Sequence, residues 1–198
     1  MEHTHMIKER LAESIRTISS LGEQSDELSR LLDMLIERLQ NGFTIWTAGN
    51  GGSAAQALHF SEELVGRYRT DRRPLASSTL CADVTTMSCI ANDFGFDAVF
   101  ARPLAAMASP GDVLLVLSTS GKSLNIVAAL EAAKELGCMT VGLLGNDGGK
   151  CLPLCEHAVV VNATDSAFVQ DAHQVVIHLL CEGIERWAAS QYKQEVSP

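Results

Sequence analysis

His59 and Glu63 stand four residues apart, about 40° around an ideal helix, so both project from one face of a helical segment. A carboxylate beside an imidazole can move protons or hold a metal, although the same spacing also describes an ordinary exposed helix pair. Their neighbour Glu62 is expected to point elsewhere. Toward the other end of the chain, Gln170 and His178 lie eight residues apart, about 80° around the axis, and His173 competes with His178. Periodicity does not separate these two histidines, and a buried histidine with a satisfied hydrogen bond describes either one.

Between these pairs lie segments suited to an anion. Ser118-Thr119-Ser120-Gly121-Lys122-Ser123 leads into a helix opening at Leu124, Asn125 and Ile126. Its hydroxyls and the free N–H groups of a helix N-terminus suit a phosphate, whose charge the helix dipole also favours. Capping alone would need one Ser or Thr. A Walker A loop is excluded, because Lys122 follows the only glycine there. Gly49-Asn50-Gly51-Gly52-Ser53 is a second turn into a helix, with Ser53 placed to cap it and present its hydroxyl. It is not a dinucleotide fingerprint. Asn92 and Asp93, ahead of Phe94-Gly95-Phe96, suit sugar hydroxyls or a simple turn equally well.

The elements that must position these groups follow from periodicity. Ile7, Leu11, Ile15, Ile18 and Leu21 form one helical stripe, and Leu28, Leu31, Leu32, Leu35, Ile36 and Leu39 another, capped by Ser25 and stopped at Asn41-Gly42. Either the domain or another subunit is expected to cover these stripes. From residue 43 onward strands are expected at 43–48, 75–80, 113–117, 140–144 and 158–161, with helices at 53–65, 84–91, 123–136 and 168–187. Such alternation implies a doubly wound parallel α/β sheet of five strands flanked by helices, with ligands at the carboxyl ends of the strands. An N-terminal helical hairpin precedes it. The expected organisation is one domain over 1–198, with helices in 1–41 used for oligomerisation and an α/β core over 42–198.

The chain has 198 residues, 46% of them hydrophobic and 20% charged, which suits one soluble domain. Its net charge of −9 disfavours nucleic acid and anionic lipid as partners. No run approaches the roughly 18 apolar residues needed to span a bilayer, and residues 1–10 lack the apolar core of a secretory signal. No membrane association and a cytoplasmic location are expected. Six cysteines without a Cys-x-x-Cys pair read as reduced and buried thiols. Cys151, Cys155 and His157 cluster locally, but their spacing matches no standard zinc finger, and core thiols beside a strand are the simpler reading.

Taken together, the runs 48–53, 59–68, 91–96 and 118–123 and the segment 170–178 resemble the phosphoheptose isomerases, single sugar isomerase (SIS) domain proteins. The resemblance covers essentially the whole chain and implies conversion of sedoheptulose 7-phosphate to D-glycero-D-manno-heptose 7-phosphate for surface polysaccharide. It implies Glu63 and His178 as the acid and base, and selects His178 over His173. It also implies a zinc site, one ion per subunit, on His59, Glu63, Gln170 and His178. Substrate positions carried over are Asn50, Gly51, Gly52, Ser53, Glu63, Asn92, Asp93 and Gln170, with Ser118, Thr119, Ser120 and Ser123 around the phosphate. Arg67 also matches a motif residue. Ala167 and Phe168 stand where many members have Asp-Arg or Ala-Arg, and Asp171 where Glu is usual. Members are typically cytoplasmic homotetramers. The alternative is a non-catalytic SIS module that binds a phosphosugar or a replication-initiator protein; such relatives keep the serine loop but lack the full catalytic set.

Overall fold

The structure is a computed structural model that describes residues 2–196, with side chains through residue 191. Two tandem helices, α1 (Glu2–Ser19) and α2 (Ser25–Gln40), are joined by a 3₁₀ turn over Ser20–Gln24. The remainder alternates as β1 (Ile45–Gly49), α3 (Gly52–Val65), β2 (Ser77–Thr79), α4 (Val84–Phe94), α5 (Ala101–Met107), β3 (Val113–Ser118), α6 (Leu124–Glu135), β4 (Met139–Gly145), β5 (His157–Val161) and α7 (Ser166–Val196). All strands are parallel, in the order β2-β1-β3-β4-β5. The expected five-stranded α/β sheet is therefore present.

The central strands are buried on both faces, which is why they read as unbroken apolar runs such as Val113–Ser118. Val113, Leu115 and Leu117 pack with residues of α2, α3 and α7. Leu114 and Val116 face the opposite way, toward α4, α5 and α6. From β1 the chain steps outward to β2 and then returns across β1 to β3, so the direction of winding reverses between β1 and β3. The loops after these two strands flank the resulting crevice, the usual ligand position in such sheets. They are the two glycine- and serine-rich loops.

Several local expectations differ from the structure. Ser25 is the first residue of α2 rather than its cap; Gln24 takes that position and the Ser25 hydroxyl donates to the Gly22 carbonyl. Ser53 lies buried inside α3, and Gly51, at φ 55°, takes the cap position, a left-handed conformation that favours glycine. Strand β2 is confined to an edge and is only three residues long. Helix α5 was not expected, because Pro103 near its start and its short length leave little periodic pattern.

Buried Asp112 ties β3 to β1 at the amino edge of the sheet. It accepts the Thr44 N–H at 2.9 Å, the Trp46 indole N–H at 3.0 Å and the Ser109 N–H at 3.0 Å. Asp112→Ala would leave these donors without their acceptor, at a cost of about 3 kcal/mol of unfolding free energy. The expected result is a lower denaturant midpoint at unchanged slope, with function of the folded protein preserved because Asp112 lies at the sheet edge opposite the glycine- and serine-rich loops.

Candidate active site

In a parallel α/β sheet the connecting helices run back against the strands, so α3 and α7 on the same face run in the same direction. Gln56, His59 and Glu63 on α3 thereby meet Gln170, Gln174 and His178 on α7 in matching order. His59 Nε2 lies 3.0 Å from Glu63 Oε1. The Gln174 amide nitrogen lies 3.0 Å from His59 Nδ1 and 3.0 Å from His178 Nε2. The two imidazoles meet edge to face, with ring centroids 5.5 Å apart. Behind them the Gln56 amide nitrogen donates to the Gln170 carbonyl at 2.9 Å and to Gln174 Oε1 at 3.3 Å.

His59 thus lies against Glu63 and, edge to face, against His178. Gln170 stands one turn further back on α7, with its amide against Gly52: a Cβ at Gly52 would lie 2.6 Å from Gln170 Nε2. Sequence reasoning missed Gln174. Its signal was its position four residues from both Gln170 and His178, the spacing that stacks side chains on one helix face.

The structure also separates the two histidines. His173 is fully buried, and its ring nitrogens make no hydrogen bond of good geometry. Burial pushes its pKa down to about 4, opposed by the nearby Leu144 carbonyl. It is a core residue. His178 instead lies beside Tyr68, with ring centroids 6.0 Å apart. Tyr68 and exposed Arg67 sit on the loop after α3, which Glu185 holds in place. The Glu185 carboxylate accepts the Arg69 N–H at 2.8 Å, the Thr70 hydroxyl at 2.7 Å and the Thr70 N–H. Burial works to raise the Glu185 pKa, but these donors and the charge of Arg72 outweigh it and hold the carboxyl below the usual range.

The serine-rich loop after β3 is partly satisfied by its own hydrogen bonds. Ser118 Oγ accepts the Gly121 N–H and Ser120 Oγ the Lys122 N–H, while Ser166 donates to Thr119 Oγ1 at 3.2 Å. Ser123 occupies the cap position of α6, but its side chain makes no capping bond. Gly121, at φ 62°, packs so closely that a Cβ there would meet the Gly148 carbonyl oxygen at 2.1 Å. Asn50 and Asn125 exchange two amide hydrogen bonds of 2.9 Å, which join the loop after β1 to the start of α6. Asn92 and Asp93 are exposed at the end of α4, where the Asn92 amide donates to Asp93.

Ligand atoms of His59, Glu62 and Glu63 all lie within 4.8 Å of one another. Glu62 was expected to point elsewhere. Three residues along a helix return to within about 60° of the starting direction, so its long side chain reaches this face. Imidazole and carboxylate donors are the set found in catalytic zinc centres, so these residues fit a metal ion. Cys151, Cys155 and His157 form no comparable donor set: the Cys155 thiol donates to the Cys151 carbonyl, and His157 pairs with Glu27. Burial pushes the two thiols up to about 11 and about 12, which keeps them protonated.

The SIS domain family model matches residues 10–145 and so stops short of α7. A phosphoheptose isomerase of Aliarcobacter butzleri is 42% identical over 180 residues, 91% of this chain and 95% of that protein. One from Helicobacter pylori strain P12 is 43% identical, covering 90% and 93%. Among solved structures, phosphoheptose isomerase GmhA from Neisseria gonorrhoeae superposes with a TM-score of 0.87 at 33% identity, covering 92% of this chain and 98% of that one. A phosphoheptose isomerase from Francisella tularensis gives 0.90 at 29% identity, covering 94% and 100%.

The burial of His173 has a measurable consequence. An unfolded histidine takes up a proton near pH 6.5, whereas folded His173 does so only near 4. Between these values the unfolded chain binds more protons, so stability falls as pH falls through that window. His173→Leu is expected to remove this contribution, about 3 kcal/mol, from the difference between denaturant unfolding measured at the two ends of the window.

Proposed function

This chain belongs to the SIS domain family and to its phosphoheptose isomerases, and we propose that it converts sedoheptulose 7-phosphate to D-glycero-D-manno-heptose 7-phosphate. The observation that carries this reading is the linked set of His59, Glu63 and His178 on adjacent helices, on a fold whose anion loop opens at the carboxyl edge of the sheet. Ketose and aldose differ by the position of two hydrogens on adjacent carbons. Glu63 takes the C1 proton of the open-chain ketose, a C1–C2 double bond forms, and O2 gains a proton from His178 to give the enediol. Loss of the O1 proton and return of a proton to C2 complete the aldose. His59 holds the Glu63 carboxylate in orientation.

Ser118, Thr119, Ser120 and Ser123 are assigned to the phosphate, which the N-terminus of α6 also favours. Asn50, Gly51, Gly52, Ser53, Asn92, Asp93 and Gln170 are assigned to the sugar. Zinc would be held by His59, Glu63, Gln170 and His178. When bound, it would polarise the sugar oxygens as a Lewis acid.

The remaining assignments concern the whole protein. Residues 1–198 act as one domain whose segment 1–41 serves oligomerisation. Ile7, Leu11 and Ile15 on α1 are more than half exposed, an apolar stripe that supports a homotetramer. No helix among the described residues is long and apolar enough to cross a membrane. The reading places the enzyme in the cytoplasm, supplying heptose for surface polysaccharide such as lipopolysaccharide. No specific observation favours the non-catalytic alternative.

Glu63→Gln is expected to lower kcat on sedoheptulose 7-phosphate about 100- to 10,000-fold, and full retained turnover would remove Glu63 as the carbon base. Product formation by the purified protein, compared with and without a chelator and then with zinc restored, tests the metal. Loss on chelation and recovery with zinc are the expected results.

A further inference from the structure

Thr119 is held at two points by residues outside its own loop. Strand β3 ends at Ser118, which pairs with Leu144 of β4, so Thr119 continues beside Gly145 at the end of β4. The approach is close: a Cβ at Gly145 would run into the Thr119 carbonyl oxygen. That oxygen accepts a side-chain N–H of Asn146 at 3.0 Å. Because the acceptor is backbone, the orientation of the Asn146 amide is fixed, and the opposite one would set oxygen against oxygen. Thr119 Oγ1 in turn accepts the Ser166 hydroxyl at 3.2 Å, which leaves the Thr119 O–H as a donor.

Asn146 closes this arrangement. Among the described residues it is the one non-glycine with positive φ, 56°, a left-handed conformation that Asn tolerates better than most side chains. The turn lets its backbone N–H donate to the Ala163 carbonyl at 3.2 Å, just after β5, while its side chain reaches back to Thr119. The segments after β3, β4 and β5 are thereby joined in a ring that returns to Thr119 through Ser166 at the start of α7. Further along the loop that Asn146 begins, the Cys151 N–H donates to the Gly121 carbonyl at 3.0 Å, so the serine-rich loop is braced at both ends. We infer that Asn146 is a positioning residue, which spends an unfavourable backbone conformation on fixing Thr119 where an entering phosphate meets the loop. This rests on the reading of Ser118, Thr119, Ser120 and Ser123 as the phosphate site. Asn146 acts through Thr119 and has no assigned contact with the sugar phosphate.

The test uses Asn146→Gly, because glycine keeps the backbone turn without strain and removes only the amide. Asn146→Ala removes the same amide and adds strain. Titration calorimetry of the full-length chain with inorganic phosphate, together with KM and kcat on sedoheptulose 7-phosphate, reads the loop; denaturant unfolding reads stability. Both variants are expected to bind inorganic phosphate about 5- to 10-fold more weakly, the size of one displaced hydrogen bond. KM rises by a similar factor with kcat little changed, because the phosphate is held alike before and during the reaction. Stability separates the two variants, Asn146→Ala unfolding at lower denaturant than Asn146→Gly.

Phosphate affinity and KM unchanged in both variants would overturn the inference, since Asn146 would then serve the fold alone. So would a loss confined to Asn146→Ala, which traces to backbone strain, or a fall in kcat at unchanged KM. Wild-type protein that binds inorganic phosphate, binds it more weakly as Asn146→Gly, yet turns over no ketose phosphate would support the role of Asn146 while overturning the isomerase reading. Wild-type protein that neither binds inorganic phosphate nor turns over the sugar phosphate would overturn both.

Discussion

Parallel strand pairing is the constraint on which the rest of this molecule depends. Because β1 and β3 lie side by side and parallel, their following loops emerge on one edge of the sheet and the chain must return along helices. Two such returns, α3 and α7, share a face and a direction, so equivalent turns lie opposite one another along their length. Gln56 meets residues 170 and 174; His59 meets 174 and lies beside 178. Antiparallel helices would have brought the two ends of this array to opposite partners. His59, Glu63 and His178, the groups proposed to do the chemistry, are thus brought together from segments more than 100 residues apart by a rule of chain direction.

Satisfying hydrogen bonds in a partly buried seam then decides the detail. The α3–α7 contact has an apolar side, with Ala57, Phe60 and Val176 in the core, and a polar side where Gln56, Gln174 and the two histidines meet. Amides suit such a seam because each offers donor and acceptor without a charge to desolvate. The proposed phosphate site differs. A chain with net charge −9 offers an anion little long-range attraction, so there the backbone N–H groups at the start of α6 and short-range hydroxyl contacts would have to do the holding.

Much of this was legible in the sequence because burial on both sides of a strand leaves a visible mark. Val113–Ser118 and Met139–Gly145 are long apolar runs and were placed to within a residue or two. Edge strand β2 is short and only partly covered, so its signal was weak and its bounds were drawn too wide. His59 with Glu63 was readable because both partners lie on one helix at a known spacing. Gln174 was not, since its importance comes from α3, and no local pattern reports a contact across 115 residues. The choice between His173 and His178 is of the same kind. Their surroundings, a closed core for one and a polar seam for the other, follow from where β4 and α3 lie.

Ser166, Gln170, Gln174 and His178 recur every four residues along α7, so this one helix reaches from the serine-rich loop to the second imidazole. Its pitch makes it a ruler. A single inserted or deleted residue between 166 and 178 would leave the contact at the serine-rich loop in place, yet rotate everything beyond by about 100° and shift it by about 1.5 Å. Length variation that loops absorb easily is therefore closed to this helix, and sequence drift along its first half must proceed by substitution at constant length.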